Sequence, residues 1–203
     1  MSDLNFIHRF VPGKESSRAL LLLHGTGADE NDLIDLGQAL DPKAALLSPR
    51  GKVLENGRPR FFRRLAEGVF DEEDVIAQAH ELAQFVDDAA KRYEIDTGNL
   101  VAVGYSNGAN IGAAMLLLGL AKFSQAILFR VMVPLSKIDP PSLKTLFVFI
   151  SAGQFDPIAR LPITQRLAQL FESAGAEVTL QFQPSGHELT ETDVVDARKW
   201  LSR

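Results

Sequence analysis

The stretch VAVGYSNGAN, Val101 to Asn110, decides how the rest of the chain is read. Strand-type residues run from Leu100 to Val103 and reach Gly104. Tyr105, Ser106 and Asn107 follow, and Gly108 completes a G-x-S-x-G pattern. The next residues, ANIGAAMLLLGL, read as a helix. A buried strand therefore turns sharply into a helix with one serine at the corner. A serine at such a corner takes strained dihedrals and its flanks crowd their neighbours, so Gly104 and Gly108 leave out the bulk that would block the turn. The serine hydroxyl is then held out at the strand tip.

Working outward, apolar strand-like runs recur at 6–11, 19–25, 44–49, 100–106, 126–135, 145–153 and 178–184. FIHRFV (6–11) alternates, as an edge strand does. ALLLLHG (19–25) is apolar without alternation, as a strand covered on both faces is. Helical patterns fall between most of them, at 30–40, 71–93, 107–120, 162–174 and 189–201. The clearest is 71–93. It opens on Asp71, Glu72, Glu73 and Asp74, which suits a helix N-terminus. Its apolar positions Val75, Ala79, Leu82, Val86, Ala89 and Tyr93 are spaced 4, 3, 4, 3, 4 and share one face. Strands alternating with helices imply an α/β fold, a mostly parallel central sheet with helices on both faces. The segment 51–70 has no period and carries Gly, Pro and Asn, so it reads as a long loop, a frequent site of function.

The length of 203 residues fits one domain, 1–203. A hydrophobic content of 46% supports a sizeable core without staples, and the absence of cysteine excludes disulfides, thiolate metal sites and a catalytic thiol. Net charge is −5 with no basic stripe, which argues against a nucleic-acid backbone or an anionic membrane surface as partner. The start, MSDLNFIHRF, lacks the positive and apolar regions of a signal peptide. The longest apolar runs are too short to span a bilayer, so the cytoplasm is the expected compartment. Four scattered histidines offer no metal-ligand spacing, and HGTGADEND lacks the phosphate-loop pattern.

In open α/β sheets ligands bind beyond the carboxyl ends of the strands. Strand 19–25 ends in HGTG, strand 100–106 in Ser106, strand 145–153 in QFDPI with Asp156, and strand 178–184 in SGHEL with His187. A serine, an acid and a histidine thus fall at one edge of the expected sheet, in the order Ser…Asp…His of an α/β-hydrolase triad. Each has a plain alternative: a helix cap for Ser106, a turn residue for Asp156, a surface position for His187. Together they make chemical sense. A serine hydroxyl is a poor nucleophile until an imidazole takes its proton, and a carboxylate must hold the imidazole in the right tautomer. The tetrahedral oxyanion needs preorganised donors. The backbone N–H groups of Asn107, after the nucleophile, and Thr26, in the glycine-rich turn, are the candidates.

The motifs LLLLHGTGADENDL (20–33), RFFRRLAEGVFDEEDV (60–75), VGYSNGANI (103–111), SAGQFDPI (151–158) and SGHEL (185–189) resemble the phospholipase/carboxylesterase family of α/β-hydrolases, which also holds acyl-protein thioesterases. The segment RFFRRLAEGVFDEED is similar to a branch of small bacterial carboxylesterases. The resemblance implies a serine esterase with Ser106 as nucleophile, Asp156 as acid and His187 as base. Thr26 and Asn107 match the family's oxyanion donors. It also implies a cofactor-free, cytoplasmic and often dimeric enzyme. The chain has no insertion large enough for a bulky lid, which suits small soluble esters. Thioesterase or lysophospholipase activity is the alternative within that class, and a ligand-binding protein on the same scaffold the alternative outside it. Dienelactone-type hydrolases usually employ a cysteine nucleophile, which is lacking here.

Other residues are candidates for shaping the site. Phe61, Phe62 and Phe70 either wall a pocket near the strand tips or pack the loop onto the core. Arg60, Arg63 and Arg64 lie beside them, able to bind an acidic substrate group or to pair with the acids at 71–74. His24 is expected to brace its loop rather than move protons, and His8 and His80 are expected to be structural.

Overall fold

The computed structural model describes residues 4–14 and 18–203. In chain order the elements are β1 (His8–Val11), β2 (Ala19–Leu23), α1 (Ile34–Leu40), β3 (Ala45–Pro49), β4 (Val53–Glu55), β5 (Arg58–Arg60), β6 (Arg64–Ala66), β7 (Val69–Phe70), α2 (Glu72–Tyr93), β8 (Leu100–Tyr105), α3 (Asn107–Leu117), β9 (Gln125–Phe129), β10 (Phe147–Gly153), α4 (Leu161–Ser173), β11 (Glu177–Gln183) and α5 (Glu191–Leu201). Seven strands form one sheet in the order β1-β3-β2-β8-β9-β10-β11. β1 runs antiparallel to β3 at the edge, and every other pairing is parallel. This is the mostly parallel sheet expected from the alternating pattern and the α/β-hydrolase fold that the resemblance implies, with no large lid among the described residues.

The apolar runs become strands because both faces of the sheet are covered. Along β2, Leu20 and Leu22 belong to one core with Ile34, Val101, Val103 and Trp200. Leu21 and Leu23 belong to the other, with Leu82, Phe85, Ala109 and Ile111. All four leucines are inaccessible to solvent. Such burial is worth about 1.5–3 kcal/mol per side chain. On α2 the expected stripe is buried from Val75 to Ala89, and Tyr93 packs half-buried at its end. Asp71 caps that helix by accepting the Asp74 N–H.

Three expectations need correction. The strand expected over 126–135 stops at Phe129, because Arg130 takes a positive φ of 55° and redirects the chain. The helix expected from residue 30 begins at Ile34, after a turn. The expected loop 51–70 contains two small antiparallel hairpins, β4–β5 and β6–β7. The first turns through Asn56 and Gly57, both at positive φ (52° and 77°). An Asn-Gly pair supplies just the backbone that a two-residue hairpin of this hand requires. No helix among the described residues is long and apolar enough to cross a membrane.

Candidate active site

Ser106 sits between the last residue of β8 and the first of α3, with φ 52° and ψ −112°. That is a sparsely populated region for a residue with a side chain, at a cost of order 1–3 kcal/mol. The surroundings hold it there. Its N–H donates to the Phe129 carbonyl at 2.9 Å. A Cβ on Gly108 would lie 1.9 Å from the Leu23 carbonyl oxygen, and one on Gly104 would lie 2.6 Å from Ala109 Cα. The two glycines let β2, β8 and α3 close on one another, as the sequence pattern requires.

The loops after β10 and β11 bring Asp156 and His187 to this corner. His187 Nε2 is 2.9 Å from Ser106 Oγ, and its Nδ1 is 2.8 Å from Asp156 Oδ2. Asp156 is buried, and its Oδ1 accepts the N–H groups of Ile158 and Ala159 at 2.8 and 2.9 Å. A carboxylate accepts, so Nδ1 carries the imidazole proton and Nε2 is left to accept from the serine hydroxyl. Ser106, Asp156 and His187, remote in the chain, thus form one hydrogen-bonded line. Tyr105 ties down the histidine loop by donating its hydroxyl to the His187 carbonyl at 3.0 Å. Burial raises the Tyr105 phenol above its ordinary pKa, which keeps that donor protonated.

The line opens into a cavity of about 330 Å³, at the small end of the range for ligand sites. Thr26, Asn107, Phe70, Met132 and Ile158 contribute to its wall alongside Ser106 and His187. Asn107 is the first residue of α3, so its N–H is one of the donors that a helix leaves without an internal acceptor. The Thr26 N–H meets no acceptor among the described residues. Both candidates for the oxyanion site therefore lie in the cavity wall with an N–H to offer. The Asn107 side chain is half engaged: its Oδ1 accepts the Phe61 N–H at 2.7 Å, while its Nδ2 is buried without a partner among the described residues.

Of the three phenylalanines considered as pocket walls, only Phe70 lines the cavity. Phe61 and Phe62 are buried in the core. The physical reason is packing: Phe61 lies tilted against His24 and Phe62 meets Phe70 edge-on, so they carry the hairpins onto the sheet. Arg63 pairs with Asp71 and Asp74, whereas Arg60 and Arg64 both pair with Glu55. His24 is fully buried. Its Nδ1–H donates to the Gly25 carbonyl at 2.7 Å, and its Nε2 accepts the Gly51 N–H at 2.9 Å. Burial lowers its pKa. Both ring nitrogens are consumed in bracing the turn that carries Thr26. His8 bridges Phe6 and Tyr93, and His80 is solvent-exposed.

One residue that the sequence did not single out organises the back of the site. Arg130, inaccessible to solvent, makes a two-pronged ion pair with Asp193 at 2.8 and 2.9 Å. It also donates to the carbonyls of Gly186 and Glu188, which flank His187. Asp193 takes a further short hydrogen bond from Ser151 and caps α5 with Thr190. Burial alone would raise the Asp193 carboxyl, but the bonds from Arg130, Ser151 and Thr190 outweigh it and hold its pKa below the ordinary value.

The chain is a member of the α/β-hydrolase class, and specifically it belongs to the phospholipase/carboxylesterase family, whose model matches residues 9–203. It is 46% identical to MhqD of Bacillus subtilis (strain 168) over 91% of this chain and 92% of that protein. Its fold superposes on a Bacillus cereus carboxylesterase with a TM-score of 0.95 at 47% identity, covering 98% of this chain and 94% of the other. A carboxylesterase from Mesorhizobium loti superposes with a TM-score of 0.94 at 33% identity, over 100% and 97% of the two chains. The chain accordingly belongs to a family of hydrolases, and bacterial carboxylesterases share its fold.

Proposed function

We propose that the protein is a serine esterase that hydrolyses small soluble carboxylic esters through an acyl-enzyme on Ser106. The observation that carries this reading is the unbroken line Ser106–His187–Asp156, at 2.9 and 2.8 Å. His187 Nε2 takes the hydroxyl proton as Ser106 Oγ attacks the ester carbonyl. The N–H groups of Thr26 and Asn107 receive the developing oxyanion, and Asp156 stabilises the imidazolium. The ester C–O bond breaks as His187 returns the proton to the departing alkoxide. Water then repeats the sequence on the acyl-enzyme, with His187 again as base, and releases the acid. The small cavity and the absence of a large lid among the described residues favour compact esters over long-chain lipids.

Replacing Ser106 by Ala tests the assignment. Turnover of p-nitrophenyl acetate and covalent labelling by a fluorophosphonate both disappear while the circular dichroism spectrum is retained. A variant that still turns over the ester removes the serine from the mechanism.

A further inference from the structure

The cavity wall has a charge character that ester hydrolysis by itself does not require. Arg58, Arg60, Arg64, Arg130 and Glu67 all contribute to it. Arg130 is spent on Asp193 and the loop carbonyls. Arg60 and Arg64 share the single carboxylate of Glu55, at 3.1 and 2.9 Å, so this trio keeps one net positive charge. The hydrogen bond from Arg64 holds the Glu55 carboxyl below its ordinary pKa, so it stays ionised between them. Arg58 is exposed, and its guanidinium makes no hydrogen bond or ion pair among the described residues. Its stem passes Gly27, where an added Cβ would lie 3.4 Å from Arg58 Cδ. The uncommitted cation is thereby set beside the turn that carries Thr26. Glu67, on the rim, opposes it with one negative charge and pairs with no cation among the described residues.

A neutral donor completes the set. Asn110 stands one turn beyond Ser106 on α3, on the same helix face. It is 4% exposed. Its Oδ1 is fixed by the Met132 N–H at 2.7 Å, which leaves the Nδ2 hydrogens without an acceptor among the described residues while the residue lines the cavity. The amide is open to the cavity rather than sealed in the core, so a bound molecule can reach this donor.

Building on the serine-esterase reading, we propose that the cavity selects esters bearing a carboxylate, with Arg58 as countercharge and the Asn110 amide as a hydrogen-bond donor. A guanidinium matches a carboxylate in shape as well as charge. The carboxylate can belong to the acyl part or to the alcohol part of the ester.

Matched pairs test this. Monoethyl succinate against ethyl succinamate places the charge on the acyl side, and O-acetylglycolate against O-acetylglycolamide places it on the alcohol side. Acid release is followed by pH-stat, with p-nitrophenyl acetate as the reference ester. In at least one pair the carboxylate has a kcat/KM about tenfold above its carboxamide, the scale of one charge-assisted hydrogen bond. The pair that shows it identifies the side. Arg58→Gln lowers that ratio by about tenfold, and Arg58→Glu lowers it further. Asn110→Asp, which keeps the acceptor for Met132 N–H, also lowers it, and Glu67→Gln raises it. Ratios near or below one in both pairs overturn the proposal, as do ratios that Arg58→Glu leaves unmoved. Absence of Ser106-dependent turnover of p-nitrophenyl acetate defeats the esterase reading beneath it, a distinguishable result.

Discussion

Asp156 meets His187 Nδ1 with Oδ2 at 2.8 Å while its Oδ1 is held by two backbone N–H groups, from Ile158 and Ala159. The carboxylate is thus fixed from behind by the backbone of its own loop, and the oxygen that faces the imidazole can only accept. Asp156→Asn keeps an acceptor for the two N–H groups but turns an NH₂ toward the imidazole. The ring then protonates on Nε2 and cannot take the serine proton. Ester turnover falls by about 10³–10⁴-fold, with little loss of melting temperature. Steady-state kinetics beside differential scanning calorimetry separate the two effects.

The strained corner at Ser106 makes an opposite prediction for stability. Ser106→Ala and Ser106→Gly are both inactive, but only glycine takes φ 52°, ψ −112° without side-chain strain. Ser106→Gly is therefore the more stable of the two by about 1 kcal/mol, after glycine's own entropy cost is set against the strain released. Urea unfolding of the two variants measures the difference. Equal midpoints refute the claim of strain.

Gly108 tolerates no side chain, because the Cβ of alanine would lie 1.9 Å from the Leu23 carbonyl oxygen. Backbone cannot give way as a flexible side chain can. Gly108→Ala destabilises the protein by about 3 kcal/mol or more, seen as a lowered unfolding midpoint and a loss of ester turnover together.

The Arg130–Asp193 pair sets a pH window. The folded pKa of Asp193 lies below the unfolded value of about 3.9. Its stabilisation is therefore complete above that unfolded value and is lost as pH falls through the folded one. Asp193→Asn leaves the buried guanidinium of Arg130 without its counterion and costs about 3–5 kcal/mol near neutrality. The gap between wild type and variant narrows as the medium is acidified below about pH 4. Chemical denaturation across that range reads it directly.

His24 acts at higher pH and with its own sign. Its folded pKa lies below the unfolded value of about 6.5, because burial disfavours the imidazolium. The unfolded chain then binds the extra proton, so folding is penalised progressively as pH drops below that value. His24→Gln is less stable at neutral pH, having lost one of two bracing hydrogen bonds, but its stability declines less between about pH 6.5 and 5.

The sheet and the Ser106–His187–Asp156 line are legible for a common reason. Strands covered on both faces read as unbroken apolar runs, such as Leu20–Leu23, and an α/β sheet delivers whatever follows each strand to one edge. Ser106, Asp156 and His187 were therefore visible from their places after β8, β10 and β11. The short hairpins were not, because strands of two or three residues are too short to display a period. The one signal in the sequence is Asn56-Gly57, a pair that fits a loop as well as a two-residue hairpin. Arg130 was hidden for a different reason. In AILFRVMV a lone arginine looks like an interruption within a strand, and its meaning depends on Asp193, 63 residues away. Phe61 and Phe62 were ambiguous because an aromatic pair in a loop faces the core or the ligand according to tertiary contacts alone.

The paired hairpins have a consequence for how such a protein changes over time. β4 to β7 supply Arg58, Arg60, Arg64 and Phe70 to the cavity, and none of Ser106, Asp156 and His187. Much of the charged cavity wall is thus written on a different length of chain from Ser106, Asp156 and His187, with Asn110 as an exception. Exchanging the hairpin residues that face the cavity, while keeping Gly51 and Phe61 whose N–H groups meet His24 and Asn107, gives the lineage a short cassette to vary without touching Ser106, Asp156 or His187.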